Sequence, residues 1–128
     1  MKPMTLEWIK VAEGDWSTAN REIKVETDTN YKAVSSHAQQ CGEKYLKAYL
    51  QERSVNPERT HNLEILLNKI LPYEPAWSDL RESCVELTDF AVEHRYPGMT
   101  TSPQEAEDAL SHSGLIRKCV REFFDLDS

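Results

Sequence analysis

Long apolar runs are what this sequence most plainly lacks. No stretch of about 18 apolar residues occurs, so no transmembrane helix is expected. The opening residues, Met1-Lys2-Pro3-Met4-Thr5-Leu6-Glu7, carry one Lys and then acid, with no apolar h-region, so no signal peptide is expected either. Cysteine is sparse. Cys41, Cys84 and Cys119 are odd in number and widely spaced, which argues against a disulfide framework and for a reducing cytoplasm. The four glycines, at 14, 42, 98 and 114, are isolated, so there is neither a P-loop nor a GxGxxG turn. Basic residues are outnumbered: Lys plus Arg is 15 against 22 Asp plus Glu, a formal charge of −7. That balance argues against generic binding to a nucleic-acid backbone, while leaving room for a local basic patch. Period-2 alternation, repeats and low-complexity tracts are also missing.

What is present is the composition of a soluble globule, 39% apolar and 29% charged. A chain of 128 residues implies one domain, residues 1–128, able to bury roughly two thirds of its unfolded surface without a disulfide or metal.

Apolar spacing is helical almost throughout. Ile9, Ala12, Trp16, Ala19 and Ile23 predict a first helix over about residues 5 to 25. The polar stretch Val25 to Asn30 reads as a loop. A second helix begins near Tyr31, with Val34, Ala38, Cys41, Tyr45 and Ala48 in step, and stops before Val55-Asn56-Pro57. A short third helix spans about Asn62 to Leu71, capped by Thr60 or Asn62. A fourth runs from about Trp77 to His94, carrying Leu80, Cys84, Leu87 and Ala91. Ser102, Pro103 and Glu105 supply an N-cap, a first-turn Pro and a capping-box acid for the last helix. The expected fold is all-α, an antiparallel up-down bundle of four long helices plus one short helix.

Few residue groups suggest chemistry. His37 and Cys41 lie four apart on one helix face, a spacing that suits two metal ligands, but no second pair follows, so no metal is expected. The cysteines lie on or beside core stripes, where a thiol is a small, inert hydrophobe. Gly42, in mid-helix, suggests close approach of a neighbouring helix. Gln40, Glu43, Lys44 and Lys47 share one side of the second helix. By themselves they read as a solvated face.

These residues also belong to a longer ordered set: Ala12-x-x-Asp15-x-x-x-Ala19, Gln40-x-x-Glu43-Lys44-x-x-Lys47-Ala48, Pro57-x-Arg59-Thr60-His61-Asn62-Leu63, Arg95-Tyr96-Pro97 and the helix start Glu105-Ala106. In order and spacing the set resembles the HEPN domain (higher eukaryotes and prokaryotes nucleotide-binding) over about residues 5 to 124. The resemblance implies an antiparallel helical bundle. It also implies a homodimer with a polar site in a cleft near its axis, which binds a nucleotide, RNA or a separately encoded minimal nucleotidyltransferase, often in a toxin–antitoxin pair. Nuclease members carry Arg, four to six residues, then His. Here Arg21, Arg59, Arg81, Arg95, Arg117 and Arg121 have no His at that distance. Arg53 and His61 come nearest, with seven residues between them, and Asn62 stands where the family usually has Asp.

The reading that follows is a binding module without a cofactor. Its site residues would be Asp15, Gln40, Glu43, Lys44, Lys47, Arg59, His61, Arg95 and Tyr96. Lys44, Lys47, Arg59 and Arg95 supply positive charge, Tyr45 or Tyr96 stacks on a base, and Asp15 and Glu43 orient the cations. A metal-independent ribonuclease pairing Arg95 with His61 or His94 is the alternative, since Arg stays protonated and cannot itself be the base. A purely structural bundle, with Tyr45, Tyr49 and the Trp residues as interface anchors, is the third reading.

Overall fold

The computed structural model describes residues 1–93 and 96–127. Among them every regular element is helical. Helix α1 is Pro3–Glu22, α2 is Tyr31–Glu52, α3 is Leu63–Ile70, α4 is Arg81–Glu93 and α5 is Pro103–Phe123. This is the all-α bundle expected from the spacing.

The ends follow local chemistry. Pro3 and Pro103 occupy the first turns of α1 and α5, where a missing N–H does no harm. Asn30 caps α2 by accepting from the Ala33 N–H. Asn62, rather than Thr60, caps α3, its Oδ1 accepting from Glu64 and Ile65. Ser102 and Glu105 form the reciprocal capping box.

Before α4 the structure departs from the expected single helix. Pro75–Leu80 is a 3-10 segment, and the α-helix starts only at Arg81. The tighter winding is anchored by Trp77, whose ring meets Tyr49 at 4.9 Å and Phe123 at 6.4 Å.

Helix α2 is the hub, packed by α1, α3, α4 and α5. It runs antiparallel to α1: Trp8 meets Gln51 near one end, and Asp15 meets His37 towards the other. It runs parallel to α5, since Val34 clusters with Ala106 and Tyr49 meets Phe123. The main core draws on all five helices through Ile9, Leu46, Leu67, Leu87 and Ile116, among others. Gly42 lies where helices converge. A Cβ there would come within 3.3 Å of Leu63, Leu87 and Ile116, so the glycine serves close approach.

Candidate functional site

The second helix does more than fill the core. Lys32, Ser35, Ser36, Gln39, Gln40, Glu43 and Lys44 recur at helical spacing along one edge of α2 and line a groove of about 480 Å³. His61, from the lead-in to α3, and Phe90 and Ala91, from α4, complete its lining.

Two carboxylates organise the polar side chains. Glu43 is buried. Its Oε1 accepts from Gln39 Nε2 at 3.0 Å and faces His61 Nδ1 at 2.9 Å, while its Oε2 meets Lys47 Nζ at 3.0 Å. Burying these charges is tolerable because they are paired and hydrogen-bonded. Asp15, reaching from α1, holds Lys44 Nζ at 2.6 Å and His37 Nδ1 at 2.8 Å. Each imidazole thus turns Nδ1 towards a carboxylate, and its Nε2 makes no hydrogen bond among the described residues. His61 is three-quarters exposed, so its free nitrogen is accessible.

Two further features bear on a ligand. The buried Ser35 Oγ, on a residue that lines the groove, has no hydrogen-bond partner among the described residues. A buried hydroxyl left so pays its desolvation without return, and a bound ligand or water would satisfy it. Lys32 Nζ donates to the Met99 carbonyl at 3.3 Å and meets no carboxylate among the described residues.

The sequence-based set is only partly gathered here. Gln40, Glu43, Lys44 and His61 line the groove. Asp15 stands behind it, holding Lys44. Lys47 is buried behind Glu43, its ammonium 5.6 Å from the centre of the Trp8 ring, and does not line the groove. Glu43 and Lys47 are therefore core residues rather than part of a solvated face. Arg59 and Tyr96 are exposed and lie outside the lining. Arg95 and His94 fall outside the described residues. Tyr45 is core: its hydroxyl donates to Glu13 and accepts from Arg121, so it is not free to stack on a base.

Arg53 and His61 do not meet as a pair. Arg53 is held by the Tyr49 hydroxyl and Glu74, whereas His61 is held by Glu43. His37 and Cys41 do not act together either, because His37 turns to Asp15 and Cys41 is sealed in the core. Burial pushes the Cys41 and Cys84 thiols up to about 12 and raises Cys119 as well, so none is a ready nucleophile at neutral pH. Among the described residues no group of three or more His, Cys, Asp or Glu is placed to hold a metal ion.

Lys32, Ser35, Ser36, Gln39 and Phe90 were missed from sequence. The helical row through Gln40 and Lys44 extends back through Ser36 and Lys32 at steps of four, and that continuation was the available signal.

The model of the HEPN domain family matches residues 5–123. The chain belongs to the HEPN family. The crystal structure of TT1696 from Thermus thermophilus superposes with a TM-score of 0.83 at 22% identity, covering 94% of this chain and 98% of that one. ST0689, described as an archaeal HEPN homologue, superposes with a TM-score of 0.75 at 25% identity, covering 95% of this chain and 98% of that one. No curated protein matches the sequence. In this HEPN domain the groove offers a mixed surface: ammonium groups, a free hydroxyl, carboxamides, an imidazole and an aromatic ring.

Proposed function

We propose that this HEPN domain is a binding module whose α2–α4 groove takes a nucleotide. The Ser35 hydroxyl, unpartnered among the described residues and lining the same groove as Lys32 and Lys44, carries the reading. Phosphate oxygens would accept from the Ser35 hydroxyl and draw the two ammonium groups. Gln39, Gln40 and Glu43 offer hydrogen bonds to ribose or base, and Phe90 offers an apolar surface for the base.

Titration calorimetry with mononucleotides tests this. Lys44→Ala and Ser35→Ala should each weaken binding about tenfold or more, at 1.4 kcal/mol per tenfold, with the helical circular dichroism unchanged. Affinity unchanged in both variants would remove the nucleotide from this groove. The separately encoded minimal nucleotidyltransferase of a toxin–antitoxin pair is proposed as a partner at the same face. Native mass spectrometry of protein purified gently from its host would show either a nucleotide-sized mass or that second protein.

One observation favours ribonuclease activity as a second reading. The Glu43 carboxylate orients His61 and leaves its Nε2 accessible, as a general base requires. In that reaction Nε2 takes the 2′-hydroxyl proton, the oxygen attacks phosphorus, and the 5′-oxygen leaves with a proton from water, giving a 2′,3′-cyclic phosphate. RNA cleavage that persists with chelator and disappears in His61→Ala would establish it. Intact RNA with folded protein would dismiss it.

A further inference from the structure

Along the α2 wall of the groove, Ser35, Gln39 and Glu43 form a buried row at steps of four. A buried polar group takes its hydrogen bonds from the protein or from something that enters the site. Glu43 is satisfied from within, by Gln39, His61 and Lys47. Gln39 is satisfied at one end only. Its Nε2 donates to Glu43 Oε1 at 3.0 Å and to the His61 carbonyl at 3.4 Å. A carboxylate and a carbonyl both accept, so the carboxamide is held nitrogen-first and cannot turn over without losing both bonds.

The Gln39 Oε1 is therefore fixed on the other side. Among the described residues it accepts no hydrogen bond, and it is not sealed from solvent. Gln39 lines the groove and is only 5% exposed, so the groove is where this oxygen meets a ligand. The neighbouring Gln40 is engaged at both ends instead. Its Nε2 donates to Ser36 Oγ at 3.1 Å, and its Oε1 accepts from Lys44 Nζ at 3.5 Å.

We infer that Gln39 is a specificity-determining residue, whose Oε1 selects a base with an exocyclic amino group (adenine or cytosine) over the keto counterparts hypoxanthine and uracil. The inference rests on the nucleotide reading above. Its basis is a match of donor to acceptor. The amino group of adenine or cytosine presents N–H donors, whereas a keto group at that position presents an acceptor. Against a locked acceptor, a keto oxygen leaves two acceptors facing each other without a proton between them. A carboxamide free to turn over would serve either kind of base, and the two bonds on Nε2 remove that freedom. Phe90 lines the same groove from α4, and a base lying on its ring brings its edge towards α2. Ser35 lies four residues before Gln39, about 6 Å along the helix axis. A phosphate at Ser35 and a base edge at Gln39 therefore fit one nucleotide.

Titration calorimetry of the full chain with AMP against IMP, and CMP against UMP, tests this. Each pair exchanges the amino group for a keto group and its accompanying ring proton. The keto bases can still offer that ring N–H, but doing so shifts the base, so the amino member of each pair should bind about tenfold tighter. Gln39→Met keeps the side-chain length and removes the acceptor. It should bring AMP and CMP down to the affinity of IMP and UMP, with the helical circular dichroism unchanged. Equal affinities within both wild-type pairs would overturn this inference and leave the nucleotide reading standing. A preference that survives in folded Gln39→Met would overturn the assignment to Gln39. No binding by any of the four would overturn both claims. The wild-type pairs decide even where the variant does not fold.

Discussion

Glu43 carries more of the candidate site than any neighbour, because three side chains converge on one buried carboxylate. Gln39, Lys47 and His61 take its oxygens, and Gln39 Nε2 also reaches the His61 carbonyl at 3.4 Å. Lys47 is as buried as its partner. Removing the negative charge strands an ammonium group in the core, and breaking such a pair costs about 3–5 kcal/mol. Glu43→Gln should therefore lower unfolding free energy in urea by about 3 kcal/mol. His61→Ala, at the exposed end of the same network, should cost under about 1 kcal/mol and test only the ligand. Sequence spacing put Gln40, Glu43, Lys44 and Lys47 on one helix side but gave no sign that two of them are interior. Periodicity marks a buried face when apolar residues fill it, and a satisfied ion pair inside the core reads as surface. Ser35 escaped for the opposite reason. A lone serine carries no pattern, and it stands out only because its buried hydroxyl has no partner among the described residues.

Helix α2 explains which parts of the fold were legible. Its stripe of Val34, Ala38, Cys41, Tyr45 and Ala48 is buried as the spacing requires. Leu46, Leu50 and Gly42 are buried too, on other sides, since neighbours cover most of the helix. A helix wrapped in this way is recognised as a helix, while its several packed sides cannot be assigned to particular neighbours from spacing alone. The 3-10 entry to α4 was illegible for a related reason. Trp77 sits at a helical interval from Leu80, yet its ring contacts with Tyr49 and Phe123 are decided by residues distant in sequence. Two glycines separate these influences by experiment. Gly42→Ala gains helix propensity of about 1 kcal/mol but drives a methyl against three core side chains, so a net loss of about 1 kcal/mol is expected. Gly14→Ala meets no such contact and should raise stability by about 1 kcal/mol. Urea midpoints of the two variants would show the opposite signs.

Across the whole molecule, α1 and α5 pack mainly on α2 and are clamped to each other by one ion cluster. Arg117 Nε and Nη2 each donate to Glu13 at 2.8 Å, in the two-pronged geometry that makes arginine pairs strong. The Tyr45 hydroxyl donates to the same carboxylate, and Arg121 lies 3.7 Å from it. Burial alone would push the Glu13 carboxyl up. The hydrogen bonds from Arg117 and Tyr45, with the charges of Arg117 and Arg121, outweigh burial and hold it below the ordinary 4.5. A carboxyl whose folded value is depressed contributes its full stability above the unfolded value and loses it as pH falls through the folded one. Net charge acts differently over this range. The chain is acidic, with an isoelectric point near 5.1, so lowering the pH from neutrality first relieves self-repulsion. Loss of the Glu13 contribution should therefore emerge only once the pH drops below about 4.5. Thermal melts of wild type and Glu13→Gln from about pH 7 down to about pH 3 would isolate it. At neutral pH the variant should be less stable by about 1–3 kcal/mol, because Arg117 loses its partner. The gap between the two curves should close as the acid limit is approached. A gap that stays constant through that range would mean that the clamp holds by shape and packing, not by the Glu13 charge.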